Sequence, residues 1–229
     1  MSRRSLFGAL ARGALVAGLA LLCLFTGFLI YDSFAPPVST LMLGRKIAGK
    51  GYERVYVRLK DIAPIAVASV IASEDARFCD NDGVDWGALH EVLTKAGKDG
   101  PSRGASTITM QTVKNLFLWN SRSFIRKGLE IPMALVLDRL WSKRRILEIY
   151  LNIAEWGDGV FGAEAASRAD FGKAARELNP REAALLAAAL PNPKLRDPRR
   201  PSRGYLRRAA TIARRASPDA DWLDCVEDK

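Results

Sequence analysis

Two adjacent carboxylates, Glu74 and Asp75, follow an apolar run, Ile65-Ala66-Val67-Ala68-Ser69-Val70-Ile71-Ala72, and precede a turn-rich Asp80-Asn81-Asp82-Gly83. A carboxyl at the end of a buried helix is short of water. That disfavours its charged form and suits it to proton transfer. The plainer alternative is a solvated helix end with Arg77 as a surface partner. Further along, Lys114, Arg122, Arg126 and Lys127 gather around Glu130. Arg126 and Glu130 stand four apart, the spacing of an ordinary helical ion pair. Several cations beside one carboxylate also match what a departing phosphate needs. Between the two groups, Arg103-Gly104-Ala105-Ser106-Thr107-Ile108-Thr109-Met110-Gln111 sets small and hydroxyl residues ahead of a helix. Free N–H groups and hydroxyls there suit an anion or a sugar, and equally serve as caps.

Other chemistries are poorly supplied. His90 is the sole histidine, which removes a two-histidine metal site, and there is no Gly-x-Ser-x-Gly elbow. Cys23, Cys79 and Cys225 form no Cys-x-x-Cys pair. An exported domain would allow a Cys79–Cys225 bridge; free thiols are the plainer expectation. The formal charge of +10 calls for an anionic partner: nucleic acid, an anionic membrane or a phosphorylated substrate.

The elements that would carry these groups can be read in order. Residues 13–31 bear no charge, follow Arg3, Arg4 and Arg12, and precede Asp32. At ~1.5 Å per residue the run approaches the ~30 Å core of a bilayer. It reads as a single-pass signal anchor with residues 1–12 cytoplasmic and the rest exported, which disfavours a nucleic-acid partner. Residues 32–51 read as a linker and 52–229 as one domain. In that domain, 52–60 read as a short strand. A helix begins at Asp61 as cap and brings Glu74 near its end. Residues 80–105 read as a loop-rich lobe with a helical piece at 86–95. Helices follow over 111–119, over 123–140, over 143–152 capped by Ser142, and over 181–190 after Asn179-Pro180. Leu116, Phe117, Leu118 and Trp119 suit either a core helix or a membrane-dipping lip. The basic tail, 194–215, is a membrane-coating surface or a solvated face. The whole is mainly α, with nothing to suggest a parallel sheet.

Six stretches then fall together in order: Glu74-Asp75-x-x-Phe78 with Gly83; Gly104 through Gln111; Lys114-Asn115-Leu116-Phe117; Arg126-Lys127-x-x-Glu130; Lys143-x-x-Ile146-Leu147-Glu148-x-Tyr150-Leu151-Asn152; and Gly157-x-Gly159-x-x-Gly162. Ala183-Ala184-Leu185-Leu186 and Leu190-Pro191-Asn192-Pro193 close the match, which runs over roughly 60–200. In these the chain resembles the monofunctional biosynthetic peptidoglycan glycosyltransferases, which share their domain with class A penicillin-binding proteins. It departs from them at Asn81, usually His, at Asp170, commonly Tyr, and at Ala105, commonly Gly.

The resemblance implies a lysozyme-like helical head, a smaller membrane-facing jaw lobe and one transmembrane helix before them. It implies lipid II polymerisation by inverting transfer, with release of undecaprenyl pyrophosphate. Glu74 would be the base, with Asp75 and Glu130 completing the catalytic group. Lys114, Arg122, Arg126, Lys127, Ser106, Thr107, Gln111, Phe78 and Asn81 would bind substrate. A divalent cation such as Mg could accompany the pyrophosphate, with no metal site of the protein's own. Partners would be lipid II, the growing glycan, the bacterial inner membrane, and other cell-wall synthases and division proteins, with the catalytic domain in the periplasm. A lytic lysozyme-like glycosidase also uses a Glu in a helical fold, yet has no use for a pyrophosphate-binding cluster. A wall-binding scaffold would explain anchor and charge but not the embedded glutamates. The chain has no Ser-x-x-Lys or Lys-Thr-Gly, so it holds no penicillin-binding transpeptidase.

Overall fold

The computed structural model describes residues 3–94, 105–119, 123–218 and 223–226. Contacts divide the chain into a unit ending at Pro36 and a unit beginning at Pro37. The first holds α1 (Arg3–Phe34). Its apolar side chains, Leu15, Val16, Leu24, Phe28 and Ile30 among them, are exposed. Among the described residues no helix is long and apolar enough to cross a membrane. The anchor expected over 13–31 is therefore not established by the fold; the side chains of Ala14, Leu21, Leu22 and Leu29 lie outside the described ones.

The second unit is mainly helical. In chain order it runs α2 (Thr40–Ile47), β1 (Glu53–Arg54), a 3-10 turn (Leu59–Asp61), α3 (Pro64–Glu74), α4 (Trp86–Thr94), α5 (Ile108–Phe117), α6 (Phe124–Leu140) and α7 (Lys143–Ile153). Then come β2 (Glu155–Gly157), β3 (Val160–Phe161), α8 (Ala163–Phe171), a 3-10 turn (Ala175–Glu177), α9 (Pro180–Ala189) and α10 (Arg203–Arg215). Residues 37–51, expected within a linker, fold with this body. The Thr40 hydroxyl lies 3.1 Å from the Asn115 carbonyl and 2.6 Å from that of Leu118, which ties α2 to α5.

The strand expected over 52–60 shrinks to β1. Side chains of α7 take the place of a strand partner beyond it. Asn152 exchanges two 2.9 Å hydrogen bonds with the Val57 backbone, and Glu148 accepts from Leu59 N at 2.8 Å and from Tyr56 Oη at 2.7 Å. β3 lies between β1, parallel to it, and β2, antiparallel. The parallel pair was not expected; at two residues a strand it is too short to show in a sequence pattern.

Three helices position the carboxylates. α3 starts at Ala63 with Pro64 in its first turn, not at Asp61, which closes the preceding 3-10 turn. Every residue from Ala66 to Ala72 is buried, because α9 and α10 both pack on α3. Full burial of a side chain such as Ile71 contributes about 1.5–3 kcal/mol. α9 begins with the expected Asn179, in a capping box with Glu182 and with Pro180 at the first position. α10, from the basic tail, buries Tyr205, Ala209 and Ile212 on one stripe, and Tyr205 Oη donates to the Leu185 carbonyl at 2.5 Å. The tail is thus a packed helix with a basic outer face.

Cys79 and Cys225 are bonded, their Cα atoms 5.6 Å apart. Free thiols were the plainer expectation, since a separation of 146 residues shows nothing of proximity. The bridge belongs to a docked C-terminal turn: Leu223 and Val226 are buried, and Arg144 donates to the Val226 carbonyl at 2.7 Å. Leu116 and Leu118 are buried while Trp119 is 49% exposed, so the apolar end of α5 is core on one side and surface on the other. α4 falls in the expected loop-rich region, but residues 95–104 lie outside the described ones, and a separate jaw lobe is not established.

Candidate active site

Glu74 is the last residue of α3. Asp75 leaves the helix at φ −158° and ψ 75°, so the two neighbouring carboxylates serve different surroundings. The Glu74 oxygens are held separately. Oε1 accepts from Ser73 Oγ at 3.1 Å, and Oε2 accepts from Gln111 Nε2 at 3.2 Å. Gln111 Oε1 accepts in turn from Tyr150 Oη at 3.0 Å, which fixes which end of the amide faces Glu74. Burial keeps the Tyr150 phenol protonated, its pKa well above the ordinary value. Burial also raises the pKa of Glu74, opposed by the hydrogen bonds from Gln111 and Ser73 and by the charges of Arg208 and Arg196. The result is a carboxylate biased toward taking a proton.

Asp75 is a junction. Its Oδ2 accepts from Ile108 N at 3.0 Å, at the start of α5, and both oxygens accept from Asn81 Nδ2 at 3.1 and 3.3 Å. Burial pushes its pKa up to about 6 against those bonds and the charge of Lys143. Asn81 uses both ends of its amide. Its nitrogen reaches Asp75, and its oxygen accepts from Gly83 N at 3.0 Å. Lys143 closes the loop from α7, donating to the Asn81 carbonyl at 2.7 Å and to Asp138 at 2.6 Å. Its ammonium lies 4.9 Å from the centroid of Phe78, a fully buried ring. Gly83, at φ +96°, brings the loop against α6, where a Cβ would sit 2.7 Å from the Ala134 carbonyl.

The cationic half lies on α5 and α6. Thr107 caps α5, accepting from Met110 N at 3.1 Å and donating to the Gly83 carbonyl at 2.7 Å. Ser123 caps α6, one turn before the cluster. Glu130, 2% exposed, is paired with both Arg126 and Lys127; the ammonium of Lys127 is 2.9 Å from Glu130 Oε2 and 2.7 Å from Ser106 Oγ. The surface ion pair that spacing allowed is therefore buried. Burial, then Arg126 and Lys114, bring the Lys127 pKa down to about 8. Lys114 is lowered too, by burial and then Arg126, and feels Glu74 as its counter-charge. Lys114 is thus the electrostatic link between the two halves. Arg122 lies outside the described residues.

Sequence reading missed Ser73, Tyr150, Lys143, Asp138 and Arg208 as members of this site. Tyr150 and Lys143 sit in a quoted motif, so a signal existed for them; Arg208 lies in a run of arginines with nothing to single it out. Among the described residues no three His, Cys, Asp or Glu side chains gather as a metal site. Glu130 is a poor cation ligand because both its oxygens already face cations.

The transglycosylase family profile matches residues 42–217. A Brucella suis relative named biosynthetic peptidoglycan transglycosylase is 53% identical over 210 residues, 91% of this chain and 93% of its own length. Relatives of the same name from Rhizobium meliloti and Mesorhizobium japonicum are 52% and 49% identical. They cover 85% and 99% of this chain, and 83% and 97% of their own.

Proposed function

The chain belongs to the transglycosylase family, so it is a glycosyltransferase that builds peptidoglycan glycan chains, and we propose that lipid II is its donor. The acceptor sugar's 4-hydroxyl attacks the anomeric carbon of the donor lipid, and undecaprenyl pyrophosphate departs. A hydroxyl is a weak nucleophile at neutral pH and needs a placed base. The observation that carries this reading is the carboxylate of Glu74, held at one oxygen by Ser73 and at the other by Gln111, which lies one turn before Lys114 on α5. Glu74 takes the hydroxyl proton. Lys114, Arg126 and Lys127 bear the charge developing on the pyrophosphate, joined by Arg122 on the sequence reading. One displacement at one face of the sugar inverts the anomeric centre.

Asp75, Phe78, Asn81 and Thr107 hold the loop and the start of α5 in register. Ser106 and Gln111 stand where they can also meet sugar or phosphate oxygens. Glu130 keeps the cations apart from their own repulsion. A divalent cation would enter with the pyrophosphate, since Glu130 is already paired. We assign the body a lysozyme-like head with a membrane-facing jaw, and residues 13–31 a single-pass anchor in the bacterial inner membrane. An uncharged run after three arginines supports the anchor, with the domain in the periplasm beside other cell-wall synthases and division proteins.

The test is polymerisation of labelled lipid II by the purified chain, beside digestion of finished peptidoglycan. Polymer from lipid II is expected. Cleavage of finished glycan without polymer would mean a lytic enzyme instead.

A further inference from the structure

The basic C-terminal helix reaches the site at one point. α10 packs on α3 and α9, and from it Arg208 Nη2 donates to Ser73 Oγ at 3.4 Å. The Nε of the same guanidinium is buried and has no hydrogen-bond partner among the described residues. Such a group is costly unless charge nearby compensates it. The charge that compensates it is Glu74, one residue from Ser73.

Ser73 Oγ has two acceptors in reach, Glu74 Oε1 at 3.1 Å and the Ala187 carbonyl at 3.3 Å, and only one proton to give. Arg208 donates into an oxygen lone pair, so it leaves that proton free. An ionised carboxylate is both the nearer and the stronger acceptor. Once Glu74 has been protonated, Oε1 no longer competes and the hydroxyl turns to Ala187.

We propose that Arg208 is a positioning residue for Glu74, acting through the Ser73 hydroxyl, which it holds as a donor to the ionised carboxylate and releases to Ala187 when the carboxylate takes its proton. This rests on Glu74 being the base. The only proton that changes owner is the acceptor hydroxyl's, which moves to Glu74. The other groups facing Glu74 are Arg196 after α9, Lys114 and Gln111 on α5, Tyr150 on α7 and its own neighbour Asp75. Among the described residues only Gln111 of these, beside Ser73, hydrogen-bonds a Glu74 oxygen.

The full chain in detergent is measured as wild type, Arg208→Met, Arg208→Lys, Ser73→Ala and the Arg208→Met/Ser73→Ala double variant. Two readouts are taken against pH: kcat/KM for lipid II polymerisation, and the carboxyl 13C shift of Glu74, assigned by its loss in Glu74→Gln. Arg208→Met and Ser73→Ala should each move both midpoints up by about one pH unit, a tenfold loss on the acid side. Arg208→Lys should recover at least half of that. The double variant should move no further than Arg208→Met alone, because that change already removes both the guanidinium's charge and its hold on the Ser73 hydroxyl. An unmoved Glu74 midpoint in Ser73→Ala, or a double variant displaced beyond either single, overturns the proposal. Ser73→Ala carries the test if Arg208→Met fails to fold. If the wild type makes no polymer while the carbon shifts behave as stated, the proposed function falls and the Arg208–Ser73–Glu74 link stands.

Discussion

Gln111 holds Glu74 from the far side of the site: its amide nitrogen lies 3.2 Å from Oε2, and its amide oxygen is committed to Tyr150 at 3.0 Å. Gln111 is thereby a positioning residue for Glu74, whatever it meets on the substrate. It fixes the oxygen of Glu74 that Ser73 does not, and leaves the carboxylate one orientation in which to meet an incoming hydroxyl.

Glu74→Gln should remove the base while keeping the volume. Polymerisation of labelled lipid II should fall by about 10²–10⁴, with the thermal midpoint close to wild type. A rate near wild type would sink the assignment. Gln111→Ala should fall less, about tenfold to a hundredfold, because the base remains but is no longer oriented.

The pH profile of kcat/KM should be a bell. On the acid side the base is lost as pH falls through the Glu74 pKa, which lies above the ordinary carboxylate value. On the alkaline side Lys127, its pKa lowered to about 8, should lose the charge proposed to stabilise the leaving group. Lys127→Arg, which keeps its charge, should move only the alkaline limb upward. A profile flat from pH 7 to 9 would exclude Lys127 from leaving-group stabilisation.

Glu130→Gln should destabilise the fold by about 3–5 kcal/mol, read from chemical denaturation, since it strands two cations beside a buried position. Adding Arg126→Met should recover part of that stability and none of the activity. An equally unstable double variant would show that Glu130 does something other than balance charge.

Gly83→Ala combines an unfavourable φ of +96° with a Cβ 2.7 Å from the Ala134 carbonyl. It should cost about 1–3 kcal/mol. Its kcat should drop as well, because the loop it displaces carries Asn81 and, through it, Asp75. Unchanged stability would mean that α6 yields at this contact.

Reducing the Cys79–Cys225 bridge should lower stability by about 2–5 kcal/mol. Cys79→Ser/Cys225→Ser should behave the same way in the absence of reductant. Identical denaturation curves with and without reductant would show that the docked C-terminal turn holds without it.

Local features of this chain were legible because their causes are local. Ser123, Ser142 and Asn179-Pro180 start helices where the sequence places them, since a cap needs only its own next three residues. The carboxylate pair at a helix end, the cationic cluster around Glu130 and the family motifs were likewise readable, because each is a matter of residue type and short spacing. Asp61 failed as a cap for the same kind of reason: a 3-10 turn claimed it first.

What only the tertiary structure decided is the company those residues keep. Spacing leaves Glu74 and Asp75 free to be a solvated helix end; α9 and α10 pack on α3, whose buried stretch runs to Ala72, leaving Glu74 half-buried, while Asn81 and the start of α5 close in Asp75. Glu148 and Asn152 replace a strand partner from some 90 residues away, Cys79 finds Cys225, and Arg208 comes 135 residues along the chain to meet Ser73. Burial and long-range hydrogen bonds depend on where distant segments end up, and no short window of sequence encodes that. The chain alone therefore named Glu74 as the candidate base and the cations expected to face it, while the fold decided how strongly Glu74 holds a proton and which neighbours set it.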